Sequence, residues 1–496
     1  MTDSPAPRIP LDPKEQPILD KLLAVRTNLE LLKQDRSTYV KSQDVIGLYD
    51  QVIEQVEILN QIRTTKRLEQ NRVDTVLDDC FQLVSLAYMT IGKNHEAPAV
   101  YSVISTVKRL LDHLEEAHFY SAKDLEAIGQ MLHNARRYMD RGKDTYTPSL
   151  LTLLEARIQV CEESIARLEL AHSHLTPDLS PKYEKLVSIL RSLCACNTRS
   201  KFPEAEVDEF LVQLKELQTE LRPYGIHAFS EERETKEEKL TEMIEKLTFT
   251  QENPEPAPAA KDLIETLLRR NFLWTNLMKE RKGRIAPAFQ DIYDKLLSIR
   301  NKLEKLSLTQ AWSLRETDLW NFQRQLDRID EARIDGNFID ALGRPSELYE
   351  QRTLLYLLRK SYALIFQLIV SSEPVSEALL PIYNQLTTLR KCLLEVKKLG
   401  GVSSPRELYP YSMKVGRSIH MMSSANVRQL NSIDNMRVDG KFVVGDDIPD
   451  GQGSVTQLLE ECFELAYELR NDAEDSSSAG EQTPASESGP EGLTAA

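Results

Sequence analysis

The stretch IYDKLLSIRNKLEKL, Ile292 to Leu306, repeats with small changes an earlier one, ILDKLLAVRTNLELL, Ile18 to Leu32. Within it, apolar side chains stand at offsets 0, +3, +6 and +10, the spacing of one face of a helix. Three further stretches carry the same pattern. The five sets read Leu19, Leu22, Val25, Leu29; Tyr101, Ile104, Val107, Leu111; Tyr183, Leu186, Ile189, Leu193; Tyr293, Leu296, Ile299, Leu303; and Tyr383, Leu386, Leu389, Leu393. A base follows at +7 in four of them, Arg26, Lys108, Arg300 and Arg390, with Leu190 the exception. The four intervals between anchors are 82, 82, 110 and 90 residues. The long one contains the Pro/Glu-rich segment FSEERETKEEKLTEMIEKLTFTQENPEPAP, so it reads as a regular interval carrying an insertion.

A second helix is expected to start 24 to 26 residues after each anchor, behind start signals that open at Ser42, Ser121, Pro203, Ser313 and Ser403. Serine or proline ahead of acids suits the free N–H groups and positive dipole of a helix start. Third helices are expected at Val73–Ile91, Leu150–Leu170, Leu263–Lys279, Leu348–Val370 and Val455–Arg470; the first and last share the echo LDDCFQL and LEECFEL. The chain therefore reads as all-α, five tandem copies of a three-helix unit arranged as stacked bundles or an α-solenoid, without significant β-sheet. The copies occupy residues 16–92, 97–172, 179–281 with the insertion 229–258, 287–371 and 377–471. Residues 1–15 and the acidic tail 472–496 read as disordered, and a short helix is expected near Leu240–Leu247 inside the insertion. Prolines between copies, at 98, 177, 181, 287, 374 and 381, argue against helices shared from copy to copy.

Of the net charge of −15, residues 446–496 hold −12 and residues 229–258 hold −5, which leaves +2 for the rest. A nearly neutral body offers no broad cationic face, so direct nucleic-acid binding is not expected. No run nears the roughly 18 apolar residues of a membrane span, and the N-terminus lacks the order of a secretory signal. Six cysteines in apolar helical patterns read as reduced thiols.

Phosphate-cradling, nucleophile-elbow and H-E-x-x-H motifs are absent, so no catalytic residue and no cofactor are expected. Cys194 and Cys196 are the candidate metal ligands, but i and i+2 on a helix face different sides, and His172 and His174 stand a helix length of roughly 20 Å away. The echo IDEARIDGNF at Ile329 and IDNMRVDGKF at Ile433 has an arginine where a calcium loop needs an oxygen ligand. It reads as a helix stop, with Gly336 and Gly440 left-handed and Phe338 and Phe442 folded back onto the bundle.

The stretch SIHMMSSANVRQLNSIDNMRVDGKFVV, Ser418 to Val444, resembles part of an uncharacterised fungal protein family of predicted helical structure, and the resemblance extends along most of the ordered chain. It implies a fungal source and a cytoplasmic or nuclear location, and it supplies no catalytic motif. From anchor to glycine the fifth copy is longer than the fourth, with 57 residues from Tyr383 to Gly440 against 43 from Tyr293 to Gly336. The expected function is a non-enzymatic scaffold or adaptor binding other proteins through Arg333, Asp335, Phe338, Arg437, Asp439, Phe442, His420 and Asn426. The alternatives are a metal-handling or regulatory protein using Cys194 and Cys196, and a factor regulated by phosphorylation of Ser476, Ser477, Ser478 or Thr483.

Overall fold

Side chains that can replace a missing backbone partner set several helix starts. Ser121 accepts from the Asp124 N–H while Asp124 takes the Ser121 N–H, and Asn71 and Asp74 form the same reciprocal box. Proline occupies the first turn of the helices at Ser180 and Leu380, where its missing N–H costs nothing.

The computed structural model describes residues 11–36, 38–63, 71–226, 260–399 and 428–479. Among them the protein is all-α, with fifteen helices and a single two-stranded sheet. The first copy comprises α1 (Gln16–Gln34), α2 (Ser42–Ile62) and α3 (Arg72–Thr90); the second α4 (Val100–Ala117), α5 (Ala122–Arg141) and α6 (Pro148–Ser173). The third comprises α7 (Ser180–Asn197), α8 (Glu204–Leu221) and α9 (Ala260–Arg281); the fourth α10 (Gln290–Ser313), α11 (Leu319–Glu331) and α12 (Leu348–Val370). The fifth has α13 (Leu380–Lys398), the short α14 (Arg428–Asp434), the strands β1 (Arg437–Val438) and β2 (Lys441–Phe442), and α15 (Gln452–Ala479).

In all five copies the first helix packs against the third. Nineteen of the twenty repeated anchors are buried, most at 0–4 % exposure, and Tyr383 is half-buried. The LDDCFQL and LEECFEL echo proves to be a repeated clasp. Asp79 takes the +7 base Arg26 at 2.8 Å and Glu461 takes Arg390 at 2.9 Å, while the Cys80 and Cys462 thiols each donate to the carbonyl of the +3 anchor, Leu22 or Leu386, at 3.5 Å.

Some boundaries differ from those read in the sequence. Ser313, the first residue of a start signal, ends α10, and α11 begins at Leu319, 26 residues after its anchor, behind a 3-10 turn at Glu316–Asp318. Arg315 between them sends its guanidinium to the end of α1. α15 continues to Ala479, into the stretch expected to lack structure. Ser403 and the 229–258 insertion, including Leu240–Leu247, lie outside the described residues.

The chain divides into two compact bodies, Met1–Glu373 and Pro374–Ala496. In the first, helices of copies one, two and four share one apolar core, whereas copy three closes its own around Leu186, Leu214, Leu268 and Trp274. The fourth copy therefore contacts the first and second, not only its neighbour in sequence. Arg315, 2 % exposed, donates to the carbonyls of Leu32, Lys33, Asp35 and Thr38 at 2.6–3.3 Å and so finishes α1 from the fourth copy. Among the described residues α12 is the one helix long and apolar enough to cross a membrane by length and composition, yet 61 % of its apolar window is buried. It is apolar on several sides because it packs against α4, α7, α9, α10 and α11. The second body gathers Leu386, Leu389, Leu393, Leu430, Phe442, Leu459 and Cys462 around α13 and α15.

Candidate functional site

The two Asp-Gly segments predicted as helix stops form β-turn hairpins. Asp335 and Gly336 have φ of 49° and 77°, and Asp439 and Gly440 have 51° and 78°. Two successive left-handed residues define the turn whose twist suits a two-residue hairpin. Ile334 and Asn337 exchange backbone bonds of 3.0 and 2.9 Å, and Val438 pairs with Lys441 in the same way in the β1–β2 ladder. Asp-Gly flanked by Ile or Val is itself the sequence signal for such a hairpin, overshadowed here by the helical periodicity around it.

A glutamine from the third helix fastens each turn. Gln351 accepts from the Phe338 N–H at 3.0 Å and donates to the Gly336 carbonyl at 2.7 Å; Gln452 accepts from the Phe442 N–H at 2.9 Å and donates to the Phe442 carbonyl at 2.7 Å. Phe338 and Phe442 are 2 % and 1 % exposed. As expected of a structural stop they fold inward, and that removes them from the proposed partner contacts. The surface of the fifth-copy hairpin instead carries Met436, Val438, Val443 and Ile448, at 53, 60, 37 and 50 % exposure. Sequence reasoning missed these four; for Met436, Val438 and Val443 the alternation with Arg437 and Phe442 along a hairpin was the available signal.

Arg333 is likewise committed to the interior. It reaches Glu116 at 2.5 Å, Asp330 at 2.6 Å and the Gly336 carbonyl at 2.8 Å. Asp330 also meets His113 at 3.1 Å, and Arg109 lies 3.4–3.5 Å from Asp327, Asp330 and Glu331. In the fifth copy Arg437 pairs with Asp434 on its own helix end. Asp335 and Asp439 are exposed at the turn tips. His420, Asn426 and Thr483 lie outside the described residues; Ser476, Ser477 and Ser478 fall in the last turns of α15.

Two aspartates one helical turn apart titrate in opposite directions. Burial pushes both carboxyls up, but at Asp330 the His113 hydrogen bond and the charges of Arg333 and Arg109 overcome it and hold the group well below the usual range. At Asp327 burial wins over Arg109 and the 2.7 Å Tyr362 hydroxyl bond, leaving it at about 6. Between the unfolded value of about 3.9 and this native value the folded chain holds a proton that the unfolded chain has released, so stability falls as pH rises across that window. Urea titrations from pH 4 to 6 should show a decline of about 2–3 kcal/mol that Asp327→Asn removes. An equal decline in the variant would assign it to other groups.

Cys194 and Cys196 are buried and diverge, as two residues along a helix must. Burial pushes Cys194 up to about 12, with Arg352, Arg359 and Trp274 around it, whereas Cys196 faces Glu206 at 3.7 Å. Among the described residues no group of three or more His, Cys, Asp or Glu side chains is placed to hold a metal ion.

Comparison with known proteins follows this geometry. A CUB1 family protein of Schizosaccharomyces pombe is 35 % identical over 480 residues, covering 95 % of this chain and 96 % of its own length. The chain belongs to the CUB1 family. A second relative, the Cu(2+) suppressing and bleomycin sensitive protein 1 of Saccharomyces cerevisiae, is 35 % identical over 517 residues, covering 93 % of this chain and 91 % of its own length. Residues 172–316 match the family described as "Protein of unknown function (DUF2408)", a span that runs from the end of α6 through the third copy to the α10–α11 junction. No solved structure matches. Both relatives are fungal and bear names without an assigned activity, as the resemblance of Ser418 to Val444 implied; the likeness runs over nearly the whole of each chain, not merely one domain.

Proposed function

We propose that the protein is a non-enzymatic adaptor that docks another protein on the fifth-copy hairpin, in the cytoplasm or nucleus. The observation that carries this reading is the exposure of Met436, Val438 and Val443 along the β1–β2 hairpin and of Ile448 after it, the hairpin held by Asp439, Gly440 and Gln452. A fixed apolar turn loses little conformational freedom on binding, which favours recognition. The six free cysteines, five of them buried, suit a reducing compartment. Copper in the budding-yeast relative's name finds no supporting cluster among the described residues, so metal handling gains nothing from the geometry.

The test is a Val438→Asp, Ile448→Asp double variant compared with the parent chain by proximity labelling in the fungal cell. Surface changes of this kind alter stability by only about 0.5 kcal/mol each, so the fold should persist by circular dichroism. The labelled protein set is expected to shrink by at least one abundant neighbour. An identical set would end the docking reading, and labelling confined to another compartment would end the proposed location.

A further inference from the structure

The chain has more acids than bases, 77 against 62, and its arginines are mostly met by carboxylates: Arg26, Arg63, Arg109, Arg136, Arg157 and Arg333 all are. Arg352 and Arg359 are not. Both stand on α12, seven residues apart and hence on one face, and among the described residues neither has a carboxylate within ion-pair distance. Arg359 lies over the Phe119 ring at 4.8 Å and Arg352 over the Trp274 ring at 5.9 Å. Nearby on α9, Arg270 donates to the Ala117 carbonyl at 3.0 Å, and its buried Nε has no partner. Burial pushes Arg359 and Arg352 down to about 10 and about 9, so both remain charged at neutral pH.

Beside Arg359 a cleft of about 380 Å³ opens between α4, α5, α7 and α12. Its charged side is formed by Arg191, Arg359 and Lys360; its one acid, Asp124, is already taken by Arg191 and by the Ser121 cap. Leu114, Ile128 and Phe366 form the apolar side. This is the size of an ordinary small-ligand pocket, lined by charged and apolar groups together.

We propose that this cleft binds a small organic phosphate monoester, its phosphate held by Arg359 with Arg191 and Lys360 and its apolar part laid against Leu114, Ile128 and Phe366. Arg359 is a half-buried cation with no acid within ion-pair distance among the described residues, which is unfavourable, and a dianion relieves it. Guanidinium forks match phosphate oxygens two at a time, and Arg359 and Lys360 lining one cleft beside the Arg191–Asp124 pair favour a dianion over a carboxylate. The apolar wall selects a phosphate that carries carbon over the inorganic ion. The site lies wholly in the first body and is independent of the hairpin reading.

Isothermal titration of the full chain in phosphate-free buffer, with phenyl phosphate, inorganic phosphate and phenol as probes, tests it. Phenyl phosphate is expected to bind saturably and about tenfold tighter than inorganic phosphate, and phenol not at all. Arg359→Gln should weaken phenyl phosphate by about tenfold to a hundredfold, the effect of losing one charge-assisted contact. The same change should leave the unliganded Tm unchanged or higher, because it removes an unmet charge. No saturable binding, a phenyl phosphate no tighter than inorganic phosphate, or an unchanged affinity in Arg359→Gln overturns the assignment. If Arg359→Gln fails to fold, Lys360→Gln decides, with a loss of about threefold or more supporting the site and no loss overturning it.

Discussion

Replacing Arg315 with methionine is expected to destabilise the first body by about 3 kcal/mol or more. The methionine keeps most of the buried stem, so the loss reports the guanidinium alone. That group satisfies four carbonyls where α1 ends and the following chain turns, and no water can replace it at 2 % exposure. Its removal leaves buried acceptors unpaired, which costs more than the net worth of the bonds. Arg36→Met is the matched control. Arg36 pairs with Asp318 across the same junction but is half exposed, and its loss should cost no more than about 1 kcal/mol. Urea unfolding followed by tryptophan fluorescence reads both, since Trp320 packs against Lys33 at this junction. Equal effects in the two variants would mean that the contact between first and fourth copies does not depend on finishing α1.

Gly451→Ala should cost the second body about 2–4 kcal/mol. Gly451 has φ of 96°, a region that an alanine enters only under strain, and its added Cβ would stand 2.7 Å from Val375 Cα and 3.0 Å from the Pro374 carbonyl oxygen. Neither obstacle is a flexible side-chain end, so backbone must shift. The neighbouring Ser376 N–H to Asp450 carbonyl bond, 3.1 Å, would shift with it. Gly453→Ala, two residues on, meets nothing within 4 Å and lies in α15; it should be neutral or stabilising by about 0.5–1 kcal/mol. Limited proteolysis of residues 374–479 distinguishes the two, with rapid cleavage expected in the first variant only. Resistance of Gly451→Ala would show that the Pro374 to Ser376 segment yields cheaply.

The five-fold repeat was legible because burial imposes a 3.6-residue rhythm that chance rarely sustains over four positions, and Leu22, Ile104, Leu186, Leu296 and Leu386 all lie inside. The clasp of Asp79 and Cys80 with α1 left only an echo in the sequence, since its chemistry appears when two distant helices meet. The left-handed glycines and inward phenylalanines of the helix stops were legible, but the hairpins were not, because Asp-Gly serves both purposes and the glutamines that hold the turns lie 13 and 10 residues beyond the backbone they hold. The contacts of Arg315 and Arg333 were not legible at all, with partners 277 and 217 residues away. The bare guanidinia on α12 escaped notice because, in a string of letters, an arginine with a carboxylate partner looks the same as one without.

The shared core of copies one, two and four has a temporal side. A ribosome makes about 5–20 residues each second, so roughly 200 residues and ~10–40 s separate the completion of α6 from that of α12. Throughout that interval the newborn N-terminal third presents the oily surface that Leu357, Tyr362, Ile365 and Leu368 will eventually cover. Nascent chains of this protein should therefore be clients of ribosome-associated chaperones, and truncations between residues 174 and 347 should aggregate.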